Sequence, residues 1–288
     1  MVYQIVALAT AFVGSSIAAI WDLKTTEIPD QIPYIMMAVA LVAYGVQAYA
    51  ESNYWIILNS LIAGLSFLGF GFLMYYFGQW GGGDAKLLSA IGFLLPTAPS
   101  GFSNLLFPFS LSFLFNLFLV GAAYMLVYAS ILAMMNTKII ERFISDVKSS
   151  SNIFVLGSMP LFLIFVILNL LISNFLSIRI NAEFLINNSV LPLIATIFIF
   201  VIWKFAKAVE EVGFKKKIPI QKLRVGDVPE YFKLWEGITN KELKKIKSSG
   251  KKIIWIKEGI RFGGAFPLAL LFTLYFGDGI LLFLNFVL

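Results

Sequence analysis

The chain has 288 residues, 59% hydrophobic and only 13% charged, whereas ordinary globular chains carry about 25% charged residues; a cytosolic enzyme, a nucleic-acid binder and a disordered scaffold are excluded. There is no cysteine and no histidine, which removes disulfides, thiolate or His-ligated metal sites, iron–sulfur clusters, and Ser-His and Cys-His hydrolases. Acid–base chemistry here must use Asp, Glu, Lys or Tyr, and the net charge of +6 has to be understood from where the charges lie.

A transmembrane helix needs about 20 mainly apolar residues. In chain order, apolar runs near 2–21, 32–50, 54–78, 85–96, 108–135, 153–177, 190–207 and 262–288 predict an all-α polytopic membrane protein of about eight transmembrane helices. The first run has no basic residue before it and no small-residue cleavage site after it, so it reads as a retained helix. The fourth is short. From Asp84 to Pro96 a helix rises only about 18 Å, against a hydrocarbon core of about 30 Å.

The expected organisation is a transmembrane core over 1–209, a basic cytosolic segment over 210–261 and a final transmembrane helix over 262–288. Inside the polar segment, Thr239-x-x-Glu242 predicts a capping box opening a short helix that Ser249-Gly250 ends. Ile253 to Ile256 reads as a strand and Val225 to Pro229 as a turn. About fifty residues is thin for an independent core, so this segment is expected to lie on anionic headgroups and pack on the helices. It carries no Walker or GxGxxG pattern.

Basic residues orient the spans. With the N-terminus outside, Lys24, Lys86, Lys138, Arg142, Lys148, Lys204, Lys207 and the fourteen basic residues from Lys215 to Arg261 all fall on the cytoplasmic side; only Arg179 falls outside. A multi-pass plasma-membrane protein therefore accounts for the basic character without nucleic acid.

An ionisable residue at or inside a span is a functional candidate. Asp22, Asp84 and Asp278 abut or interrupt apolar stretches. The orientation, drawn without regard to function, puts Asp22 at the cytoplasmic end of span 1 and Asp84 at the cytoplasmic start of span 4. Each alone could be an ordinary helix end or N-cap. Together, with Gly81-Gly82-Gly83 beside one of them, they point to a site, because a glycine run costs backbone entropy and is used where another backbone or a substrate comes close. Asp84 at a helix N-terminus is favoured as carboxylate by the helix dipole, and Asp22 near a C-terminus is not. Asp278 is either a buried polar anchor or an interfacial residue, and Asp227 sits in ordinary turn composition.

Gly81-x-Gly83-Asp84 followed by Ala85-Lys86, with the earlier Asp22-Leu23-Lys24-Thr25-Thr26-Glu27-Ile28-Pro29-Asp30, resembles the GxGD membrane aspartyl proteases. It is most similar there to the type IV prepilin peptidases and their archaeal preflagellin/prepilin branch. The resemblance covers roughly residues 1–100 by motif, with a weaker likeness at Lys257-Glu258-Gly259-Ile260. It implies an aspartyl endopeptidase that removes the short basic leader from prepilins or prearchaellins at the cytoplasmic face. It carries the two catalytic aspartates over to Asp22 and Asp84, with Gly81, Gly83, Glu27, Asp30 and Lys86 as candidate substrate-binding residues. Membrane lipids are the other expected partners. No cofactor is implied, and no clustered third carboxylate completes a metal site.

Three features depart from the family pattern. Asp30 stands where many members have Asn, and Arg261-Phe262-Gly263-Gly264 where archaeal relatives tend to have a proline-containing stretch. The cysteine-rich loop of bacterial members that also methylate their product is missing. Three other readings remain, one of them a structural membrane subunit, which leaves the glycines unexplained. A presenilin-like intramembrane protease shares the GxGD logic but would want deeper aspartates and a Pro-Ala-Leu element, of which Pro267-Leu268-Ala269-Leu270 is a loose echo. A proton-coupled transporter would place its carboxylates at the midplane of repeated halves. Finally, the loop 21–31 sets one basic residue, Lys24, against Asp22, Glu27 and Asp30, an acidic patch suited to attract a basic leader.

Overall fold

The computed structural model describes residues 2–99, 101, 105–177, 181–232, 237–250, 252–279 and 281. Arg179, the one basic residue expected outside, lies beyond them. Helices dominate: α1 Val2–Thr25, α2 Gln31–Ala50, α3 Trp55–Tyr76, α4 Gly82–Leu94, α5 Phe109–Met135, α6 Thr137–Phe175 and α7 Ala182–Ala208, then α8 Asn240–Lys247 and α9 Ala265–Phe276. Three short strands, β1 Lys215–Pro219, β2 Val228–Pro229 and β3 Ile253–Lys257, form one sheet in the order β1-β3-β2. Among the described residues, six helices are long and apolar enough to cross a membrane: α1, α2, α3, α5, the second half of α6, and α7. Thus the all-α polytopic class holds. The expected fourth span is the shorter α4; of the expected eighth, 262–288, the described residues contain α9, and residues 280 and 282–288 lie outside them.

The chain divides into two compact units, residues 1–127 with 216–288, and residues 128–215. In the first, α4 is the central helix, packed against α1, α2 and α3. Ten of its thirteen residues are buried, so its roughly 20 Å length never has to span lipid unaided. Burying a short helix strands the last carbonyls, which find no partner inside the helix. Ser60 donates to the Phe93 carbonyl and Tyr44 to that of Leu94, both at 2.6 Å. α3 approaches through glycine. A Cβ at Gly71 would lie 2.7 Å from the Ala85 Cα, and one at Gly92 would lie 2.9 Å from the Ala63 carbonyl oxygen. Only bare backbone lets the two helices sit this close.

The polar segment of this unit keeps the expected helix and the expected strand, but Val228 and Pro229, expected inside a turn, form β2, because their backbone pairs with β3. Thr239 and Glu242 form the capping box, with the Glu242 carboxylate accepting from the Thr239 N–H at 2.8 Å. Strand β2 pairs antiparallel with β3, Val228 opposite Lys257. Its core is small, made of Ile220, Leu223, Ile238, Ile254 and Ile256, as the length of the segment requires.

In the second unit α6 packs on α7. Arg142 pairs with Glu211 at 2.8 Å and with Asp146 at 3.1 Å. The Phe154 and Phe200 rings stack with centroids 4.3 Å apart.

Candidate active site

Asp22 lies three residues before the end of α1 and is only 4% exposed. It is covered by the stretch that links β3 to α9. The Gly263 N–H donates to the Asp22 Oδ2 at 2.7 Å, and Arg261 Nε donates to the Leu23 carbonyl at 3.0 Å. A Cβ at Gly259 would lie 3.1 Å from the Thr26 carbonyl oxygen, and one at Gly263 would lie 3.0 Å from Asp22 Oδ2. Two glycines and an arginine therefore hold the end of α1 from residues more than 200 positions away. Thr26, which closes α1 by donating its N–H to the Asp22 carbonyl at 2.8 Å, has φ +62°. For a β-branched residue this is a strained conformation, next to the candidate carboxylate.

Asp84 is the third residue of α4 and 8% exposed. Its Oδ2 accepts from the Gly81 N–H at 3.0 Å, which caps the helix start in the way an acidic residue in the first turn favours. Trp80, just ahead of the glycine run, stacks on Phe118 and packs its ring against Phe262 and Phe266. This aromatic clamp fixes the entry to α4. The Asp22 charge acts on Asp84 across the gap, so the fold brings the two carboxylates into one electrostatic neighbourhood. Among the described residues one backbone N–H reaches each carboxylate, Gly263 for Asp22 and Gly81 for Asp84, so these bonds do not reinforce the difference expected from the helix ends.

The remaining candidates fall in distinct places. Gly81 supplies the N–H to Asp84, and a Cβ there would come within 3.2 Å of the same carboxylate oxygen. At Gly83 the close approach is made by the chain itself: a Cβ would meet the Ile28 Cβ at 2.8 Å and the Ile28 carbonyl oxygen at 3.3 Å. Gly82 is roomy, its nearest neighbour being the Tyr75 ring at 4.0 Å. Lys86 pairs with Asp30 at 2.6 Å, joining the second turn of α4 to the residue that precedes α2. Glu27 is exposed.

Asp227 accepts from the Arg224 N–H at 2.7 Å inside its own turn. Asp278 is buried and accepts from Ser112 Oγ and the Leu106 N–H. Beside it Asn116 donates to the Thr273 hydroxyl and the Gly277 carbonyl and accepts from the Gly279 N–H. Asp278 is thus a polar anchor fastening the end of α9 to the start of α5. Among the described residues no three acidic side chains converge as a metal-binding group.

Sequence reasoning missed Gly263, Ile28 and Trp80. The Gly263-Gly264 pair ahead of the last apolar run was a signal for the first. Ile28 and Trp80 look like any apolar residue beside a span.

A polytopic helical membrane protein with two buried carboxylates at neighbouring helix ends is the class that the fold and site define. Residues 9–137, which contain both aspartates, match the sequence model of the type IV leader peptidase family. The chain is 28% identical over 138 residues to the prepilin peptidase EppA of Methanothermobacter thermautotrophicus, covering 44% of this chain and 36% of that protein. It is 32% identical over 84 residues to the preflagellin peptidase of Methanocaldococcus jannaschii, covering 29% of this chain and 36% of that one. The chain matches about a third of the length of these curated relatives.

Proposed function

We propose that this protein is a membrane-embedded aspartyl endopeptidase that removes the short basic leader from prepilins or prearchaellins. The observation that carries the reading is the pair Asp22 and Asp84, both buried at the ends of helices that pack together, inside the segment that matches the leader peptidase family. Two carboxylates that share a site do not both ionise readily, so the pair holds one proton between them. The ionised member takes a proton from water as the oxygen attacks the scissile carbonyl. The protonated member donates a hydrogen bond to that carbonyl and stabilises the developing oxyanion. Collapse of the tetrahedral intermediate returns a proton to the leaving amine. Hydrolysis of this kind needs only the two carboxylates and water.

The site faces the cytoplasm with the N-terminus outside. This orientation rests on the basic residues, nearly all of which fall on one side when the spans are threaded that way. The substrate's basic leader then sits in the cytoplasm and its hydrophobic segment in the bilayer.

The test is cleavage of a synthetic pilin segment with its basic leader by the purified chain in detergent, with the product identified by mass. One cut just ahead of the hydrophobic segment is expected. Asp22→Asn and Asp84→Asn should each give no product while extracting and folding normally. A cut in the middle of the hydrophobic segment would assign intramembrane proteolysis instead, and robust turnover by either variant would remove the dyad.

A further inference from the structure

The second unit holds a buried cation that the proteolytic reading does not use. Lys204 lies in α7, yet only 9% of its surface is exposed. A lysine near the end of a spanning helix ordinarily extends its ammonium toward the interface. Here the side chain turns into the α6–α7 pair instead. Its Nζ donates to Ser150 Oγ at 2.6 Å and lies over the Trp203 ring at 4.9 Å and the Phe200 ring at 5.6 Å. Among the described residues no carboxylate pairs with it. Asp146, one turn before Ser150, is bound to Arg142, and Glu211 is bound to Arg142 and Lys207. An ammonium has three donors, so a hydroxyl and two ring faces leave charge and hydrogen-bonding capacity uncompensated.

Lys204 forms the polar end of a groove of about 410 Å³. From Lys204 and Ser150 the lining passes to Phe154, Gly157, Leu161 and Thr196. Beyond the lysine end it is mainly apolar: Ser158 adds one hydroxyl, and that of Thr196 is turned back to the Pro192 carbonyl at 2.8 Å. Gly157 keeps the groove open: a Cβ there would have no atom within 4 Å. The apolar stretch of α6 that can cross a membrane begins at Leu156. Ser150 thus lies about 9 Å before it along the helix axis, where headgroups meet hydrocarbon.

We infer that this groove binds a membrane phospholipid of net negative charge, with its phosphate on Lys204 and Ser150 and its acyl chain along Gly157 and Leu161. A basic pocket between membrane helices with an apolar extension suits that amphiphile. A free anion would leave the apolar part unused, and a zwitterionic lipid would bring its own cation beside the Lys204 ammonium and leave the site's positive charge unbalanced.

Native mass spectrometry of the full chain in detergent, titrated with phosphatidylglycerol or phosphatidylcholine, tests this. Wild type should retain phosphatidylglycerol about tenfold more tightly than the Lys204→Met variant, as expected for loss of one charge-assisted contact. Retention of phosphatidylcholine should be weak and equal in the two. Gly157→Leu, which fills the groove and leaves Lys204 in place, should also lose phosphatidylglycerol, so the test survives if Lys204→Met fails to fold. Millimolar inorganic phosphate should not displace the lipid. Unchanged phosphatidylglycerol retention in Gly157→Leu, equal retention of both lipids by wild type, or full displacement by phosphate would each overturn the proposal.

Discussion

The backbone N–H of Gly263 is hydrogen-bonded to the carboxylate of Asp22 at 2.7 Å, across 241 positions of sequence. The link between β3 and α9 therefore holds the candidate carboxylate in place. A Cβ at position 263 would lie 3.0 Å from both Asp22 Cβ and Oδ2. Gly263→Ala keeps the N–H but pushes the carboxylate aside. Misplacement of a reacting group by about 1 Å costs on the order of 100-fold. The expected result is kcat lowered at least tenfold with KM nearly unchanged, measured by steady-state cleavage of a leader-bearing peptide. Wild-type kcat in this variant would show that Gly263 does not position Asp22.

At Gly83 the close contact is with Ile28, whose Cβ would sit 2.8 Å from an added methyl. Gly83→Val should therefore lower both melting temperature and activity by separating the α1–α2 link from the start of α4. Gly82→Ala, with its nearest neighbour at 4.0 Å, should be close to silent. Pairing Gly83→Ala with Ile28→Gly should recover part of the loss, with a coupling of about 0.5–3 kcal/mol as for residues in contact. Strict additivity in detergent unfolding would return Gly83 to a role in meeting substrate.

Much of this arrangement is legible from residue order. Apolar length marks the helices, and Thr239 with Glu242 announces α8, because capping is written in side chains three residues apart. Asp22 and Asp84 stand out because charges beside spans are rare. What stays hidden depends on pairing between distant segments. Nothing near Gly263 names Asp22 as its partner, and Asp30 and Lys86 look like independent loop charges until the fold sets them 2.6 Å apart. A run of ten apolar residues cannot say whether it faces lipid or other helices; α4 is enclosed because α3 presents glycines to it.

That ion pair changes the electrostatics expected of loop 21–31. Asp30 is half exposed, but Lys86 already neutralises it, and Asp22 is buried. The acidic attraction for a basic leader then rests on Glu27. Glu27→Lys alone should raise KM several-fold at low salt and leave kcat unchanged, since exposed pairs are worth about 0.2–1 kcal/mol. Asp30→Asn should add little to that effect. Raising salt should erase the Glu27→Lys penalty as the Debye length shrinks to a few ångströms. A KM insensitive to Glu27→Lys at low salt would end its role in recognition.

Asp278 offers a contrast within the same unit, a buried carboxylate with structural work only. Its oxygens accept from Ser112 Oγ and from the Leu106 N–H. Asp278→Ala would leave the Leu106 N–H without this acceptor, at a cost of about 1–3 kcal/mol, and Ser112 Oγ with only the long contacts to the Phe107 and Pro108 carbonyls at 3.4 Å. Asp278→Asn keeps one carbonyl oxygen and so should lose less. The expected order of melting temperature in detergent is wild type, then Asp278→Asn, then Asp278→Ala. Turnover per folded molecule should stay near wild type in both, because neither change touches Asp22 or Asp84. Loss of cleavage by Asp278→Asn at an unchanged melting temperature would instead make this carboxylate part of the chemistry.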